Sequence, residues 1–113
     1  MERSKSVSTE LELGLDLARR GEYFAAHEAL EDAWRASDPD EKDFFQGLVH
    51  VVVAWYQAGR GNRVGLERQL EKAARRLGPF APEHRGFDVS ALLRQVESAQ
   101  AAGTLDVPPL HVP

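Results

Sequence analysis

In the segment GEYFAAHEALEDAWR, Gly21 to Arg35, three residues are spaced for chemistry: His27, Glu31 and Trp34 recur at intervals of four and three. On a helix that spacing places them on one face, with the imidazole and the carboxylate close enough to meet. Such a pair can share a proton, fix a histidine tautomer or supply two ligands to a divalent metal. Glu28 directly follows His27, so the run reads H-E-x-x-E, one residue type away from the H-E-x-x-H of zinc metalloproteases, where Glu28 would be the general base. No later histidine sits at the metzincin offset. Glu28 also lies about 100° around the helix from His27 and is expected at the rim or in solvent.

The elements that must position these side chains are read from capping and apolar period. Thr9 followed by Glu12 is a capping-box signal, and Leu11, Leu13, Leu15, Leu17 and Ala18 supply the apolar face of a first helix ending at Arg19-Arg20-Gly21. Tyr23, Ala26, His27, Leu30 and Trp34 carry a second helix to about Ser37. Asp38-Pro39 then opens a third, and the short connection predicts an antiparallel pair. The run LVHVVVAWY favours a strand by propensity alone, but its pattern continues without a turn signal from Asp38 to Gly59, too long for an ordinary strand. It is therefore expected to be the central helix, about 38–59, apolar nearly all round.

Asn62 caps a fourth helix along Leu66, Leu70, Ala73 and Leu77, and Asp88 caps a fifth along Val89, Leu92, Leu93, Val96 and Ala99. Between them PFAPEHRGF, residues 79–87, reads as a structured loop anchored by Phe80 and Phe87. The end, TLDVPPLHVP, cannot be helical past Pro108-Pro109 and is either a docked strap or a frayed tail. The fold class expected is all-α: one domain, 1–113, a bundle of about five helices in antiparallel hairpins, with 1–8 and 104–113 as termini. Gly21–Ala36 laid on Gly61–Arg76 matches at Gly, Leu, Glu, Ala and Arg, an offset that two helical hairpins sharing a packing pattern would give.

Folding the second and third helices together near Asp38 brings His27 level with about His50 and Glu31 level with about Gln46. The candidate metal ligands are then His27, Glu31 and His50, with Gln46, Trp34, Tyr56 and Glu28 as wall or outer residues. Two imidazoles and a carboxylate suit zinc, iron, manganese or nickel. The alternative is a satisfied polar island, in which Glu31 accepts from His27 and Gln46, and the set fixes helix pairing.

The motif H27-x-x-x-E31-x-x-W34, preceded by G21-E-Y-F and followed by Q46-G-L, resembles the small bacterial and archaeal family labelled domain of unknown function 309, over roughly residues 10–78. The resemblance implies an all-helical bundle and a His/Glu/Trp signature suggested to bind metal, with no established activity. The signature falls on His27, Glu31 and Trp34, and Gln46-Gly47 match a second block. His50 stands where relatives more often have an apolar or amide residue, and Tyr56 where many carry His.

Composition bounds the rest. The chain has no cysteine, which excludes thiolate zinc sites and disulfides, and its net charge of −4 argues against a general nucleic-acid binder. Residues 1–10 lack an apolar leader, and the run Leu48–Tyr56 is far shorter than the roughly 20 residues that span a bilayer, so a cytoplasmic protein with no membrane partner is expected. Arg60 to Arg76 holds a basic face that could meet an acidic partner, or be solvated and balanced by Glu67 and Glu71. Trp55 and Phe44 lie on different sides of the central helix, and either left exposed would make a homodimer surface. Two functions are expected from these readings: a divalent-metal protein built on His27 and Glu31, or a non-catalytic helical interaction module with tetratricopeptide-like hairpins, a protein partner and no cofactor.

Overall fold

The computed structural model describes residues 6–113. Ser6 opens helix α1 (Val7–Arg19), its hydroxyl accepting from the Thr9 amide at 3.4 Å. Thr9, expected as the cap, lies inside the first turn. The apolar stripe starts at Val7, which packs on the core two residues before Thr9 and draws the helix start forward. Of the expected termini, 1–5 fall outside the described residues, Val7 and Ser8 belong to α1, and 104–113 is addressed below.

Helix α2 (Tyr23–Ala36) ends on Ser37, whose hydroxyl donates to the Trp34 carbonyl at 2.8 Å. A 3-10 turn at Pro39–Glu41 leads into α3 (Lys42–Gly59). The valine run is helical, as its length demanded, and Phe44, Phe45, Leu48, Val51, Val52 and Ala54 of α3 are buried in the core. Asn62 caps α4 (Arg63–Leu77) by accepting from the Gly65 amide at 2.8 Å. Asp88 does the same for α5 (Val89–Ala102), accepting from Ala91 at 2.9 Å, and Gly103 ends α5 in the left-handed region at φ 65°.

The main helix contacts run α1–α2, α2–α3, α3–α4 and α4–α5, so neighbours in sequence are neighbours in space. The turns of the two hairpins repeat one bonding pattern. The Glu22 amide donates to the Leu17 carbonyl and the Asn62 amide to the Gln57 carbonyl, each at 2.9 Å, after Gly21 and Gly61 in positive φ. The 40-residue offset in the sequence is thus a repeated helical hairpin.

Two glycines set how closely the helices approach. A Cβ on Gly14 would lie 2.6 Å from Leu30 Cγ, and one on Gly47 would lie 2.6 Å from Leu77 Cγ. The α1–α2 and α3–α4 pairs each seat a leucine where no other residue leaves room.

Residues 79–88 fold as expected of a structured loop, with one unanticipated feature, a two-residue β-hairpin pairing β1 (Glu83–His84) with β2 (Phe87–Asp88). Phe87 is buried, and the Phe80 ring meets Phe44 at 5.6 Å. Phe44 is fully buried and Trp55 is 5 % exposed, so neither offers the surface on which a homodimer was expected. The hairpin covers the first, and the C-terminal segment, docked as a strap, covers the second. Among the described residues no helix is long and apolar enough to cross a membrane.

Candidate functional site

His27 and Glu31 meet on the outer edge of α2, with Nε2 and Oε2 3.3 Å apart. Their side chains are 23 % and 37 % exposed, so the pair lies at a rim and not in the buried cluster the apolar stripe suggested. His27 Nδ1 faces the Phe24 carbonyl at 3.3 Å. Both ring nitrogens therefore face acceptors. Arg35 adds positive charge, one guanidinium nitrogen 3.5 Å from Glu31 Oε1 and the other 3.0 Å from Asp32.

Phe24 extends this edge toward α3. Its ring centroid is 5.3 Å from that of His27 and 5.5 Å from that of Tyr56, and it remains 52 % exposed. Arg60 closes the row, donating to the Tyr56 hydroxyl at 3.0 Å. Beneath these rings Tyr23, Val53 and Gln57 complete a cavity of about 180 Å³. Tyr56 and His27 thus line the same cavity. Phe24 escaped the sequence reading because it falls off the apolar stripe of α2; an aromatic on the polar face was the signal available.

The other expected members separate from the pair. His50 turns to α4, where its Nδ1 bonds Gln69 Oε1 at 2.7 Å. It follows Gly47 by one turn, on the side of α3 into which Leu77 packs. Burial pushes its pKa below the ordinary imidazole range, the Gln69 contact acts in the opposite sense, and Arg76, Lys72 and Arg75 lower it further. The levelling of His27 with His50 assumed a flat hairpin, and the rotation of α3 about its own axis overrides it. Gln46 is half-buried on α3, and Glu28 is exposed.

Trp34 seals the corner between α2 and α3: the Lys42 ammonium lies 5.3 Å from its ring centroid and donates to its carbonyl. Among the described residues no group of three or more His, Asp or Glu side chains converges as metal ligands. His27 and Glu31 are two donors where a resident metal takes three or four, and Arg35 already flanks the carboxylate, so the set as folded does not fit a closed metal centre.

The basic face of α4 is largely paired: Arg63 with Glu67, Arg75 with Glu71 and Arg76 with Asp43. A second titratable cluster, unseen in the sequence, pins the β-hairpin to the start of α3. His84 Nε2 lies 2.9 Å from both Glu41 oxygens, and Arg85 donates to the same carboxylate at 3.2 Å. Burial alone would raise the Glu41 pKa, but the hydrogen bonds and charges of His84 and Arg85 outweigh it and hold the carboxyl below its ordinary range. Its members come from segments more than forty residues apart, a proximity that no local pattern encodes.

Residues 11–69, from α1 into α4, match the family described as a domain of unknown function, DUF309. Uncharacterized protein YpuF of Bacillus subtilis (strain 168) is 32 % identical over 83 residues, which is 68 % of this chain and 46 % of that protein. The chain therefore spans about half the length of this relative. No solved structure matches the chain. The matched span carries His27, Glu31, Trp34, Gln46 and Tyr56 on the helices described above and exceeds half of the sequence, so the chain belongs to the DUF309 family.

Proposed function

We propose that this protein is a non-catalytic helical interaction module that receives a protein partner on the α2–α3 edge. The observation that carries this reading is Phe24, a large aromatic side chain left 52 % exposed between the rings of His27 and Tyr56, above a cavity of about 180 Å³. The ring packs against His27 and Tyr56 on one side and leaves its other side to water, an apolar face beside a concave one that an incoming side chain would cover. A partner that inserts one apolar side chain beside Phe24 and Tyr56, and hydrogen-bonds to the His27–Glu31 pair at the rim, would use both features. The test is a photo-crosslinking amino acid in place of Phe24, expressed in the source cell. A discrete protein adduct that disappears with Tyr56→Ala is expected; no adduct, or one indifferent to Tyr56→Ala, would overturn the reading.

A second reading is favoured by the direction of the histidine ring. In the tautomer whose Nδ1 donates to the Phe24 carbonyl, Nε2 would turn its lone pair to the Glu31 side, as in metal-bound histidines. A zinc, iron, manganese or nickel ion there would depend on water or a partner for the rest of its ligands. Elemental analysis of protein purified without chelator, beside His27→Ala and Glu31→Ala, decides it. Near-stoichiometric metal lost in both variants supports this reading, and folded wild type that gains no metal on incubation removes it.

A further inference from the structure

Residues 105–113 form neither helix nor strand, and they double back over the helices as a strap. Side chains from four helices hold their main chain. Trp55 Nε1 of α3 donates to the Pro108 carbonyl at 2.8 Å, and the Leu110 amide donates to the Tyr23 hydroxyl of α2 at 3.3 Å. Gln95 of α5 clamps His111 from both sides, its Oε1 accepting from the amide at 2.8 Å and its Nε2 donating to the carbonyl. Arg19, at the end of α1, donates to the Pro113 oxygen at 3.0 Å.

These bonds address backbone atoms, so they read an extended chain whatever its side chains. Specificity comes chiefly from Leu110, 7 % exposed among Leu15, Leu48, Val52 and Phe87, with Val112 beside it and Leu105 and Val107 partly buried against the core. Main-chain bonds with a pocket for a chosen side chain are the means by which folded proteins bind extended peptides. Pro108 and Pro109 offer no N–H, so the segment cannot be built into a ladder, and their fixed φ lowers the entropy lost on docking. A cavity of about 580 Å³ remains between the strap and α5, so on that side the strap is pinned at points and not packed along its length.

We propose that this seat is an extended-peptide groove that also takes the strap of a second copy of this chain, two copies exchanging residues 105–113 about a hinge at Gly103–Thr104. Each contact above joins the strap to the helical body, so a strap from another copy satisfies every one of them unchanged. The two states differ only in the hinge and in concentration. The hinge is short: Gly103 caps α5 at φ 65°, and Thr104 is exposed. Gly103 makes the reversal onto the same body without strain, but a hinge this short leaves little slack, and removing a residue from it would strain the closure and favour exchange. Reciprocal exchange fills both grooves and leaves no strap free, so the product is a closed dimer. This surface is separate from the Phe24 edge and stands independently of the function proposed there.

The test compares the full chain, a chain lacking Thr104 and a full-length Leu110→Glu variant by size exclusion with light scattering, from micromolar to millimolar concentration. The expected result is a dimer fraction that rises with concentration in the wild type, is larger without Thr104 because the shortened hinge cannot return the strap to its own body, and is lost in Leu110→Glu. A chain ending at Gly103, in a Trp34→Phe background, should bind a synthetic peptide of residues 104–113 with a shift in Trp55 emission, and the same peptide carrying Leu110→Glu should produce none. Wild type and Thr104-deleted chains that both remain monomeric would overturn the proposal. So would a dimer that survives Leu110→Glu, which would mark association through another surface. If the chain ending at Gly103 does not fold, the full-length comparison decides alone.

Discussion

At the scale of single residues, exposure decides what each titratable group contributes. The His27–Glu31 pair is an i, i+4 contact open to solvent, and such pairs contribute about 0.3–0.5 kcal/mol. His27→Ala should therefore lower stability by less than about 1 kcal/mol in urea denaturation; a loss of several times that would place the imidazole in a structural role its exposure does not allow. His50 and Glu41 act on the pH profile in one direction. Both have folded pKa values below their unfolded ones, so in the window between the two the unfolded chain binds the extra proton. Stability is full above the unfolded values and is lost as pH falls, first below about 6.5 for His50 and then through the carboxylate range for Glu41. His50→Gln should flatten the upper part of a plot of Tm against pH, and Glu41→Gln the lower part. A plot unchanged by either substitution would rule out these groups as the acid-sensitive ones.

At the scale of elements, the apolar periods of α2, α4 and α5 and the caps of α4 and α5 were readable, because a cap is satisfied within four residues of its own helix. The close approach of helices was not readable, since Gly14 and Gly47 look like ordinary helix-weakening glycines until Leu30 and Leu77 are seen lying over them. Gly14→Ala and Gly47→Ala should each raise local helix propensity and nonetheless destabilise the protein by about 1–3 kcal/mol, because the added methyl meets a leucine Cγ and not the free end of a flexible chain. Chemical denaturation of the two variants checks this; a higher midpoint in either would mean the hairpin opens without cost.

At the scale of the whole molecule, the strap completes the core: it covers Trp55 and places Leu110 among side chains of α1, α3 and α5. Leu110→Ala should cost about 2 kcal/mol, at the low end for a buried leucine because the segment beside the cavity can settle inward. Thermal unfolding followed by Trp emission would show a lower Tm and a red-shifted folded baseline; an unchanged baseline would mean the strap is held without its anchor. The DUF309 match ends at residue 69, so the β-hairpin, α5 and the strap lie outside the part of the chain that defines the family.

The five helices, their order, the contact of His27 with Glu31 and the anchoring of Phe80 and Phe87 were all legible in the sequence, because each depends on spacing within one element or on burial of an obvious aromatic. The partner of His50, the Glu41–His84–Arg85 cluster and the choice between a docked and a frayed tail belong to the tertiary structure. Each depends on the rotation of one helix about its axis, or on the meeting of segments far apart in the chain. Helical periodicity fixes which residues share a face, and only packing decides what that face meets.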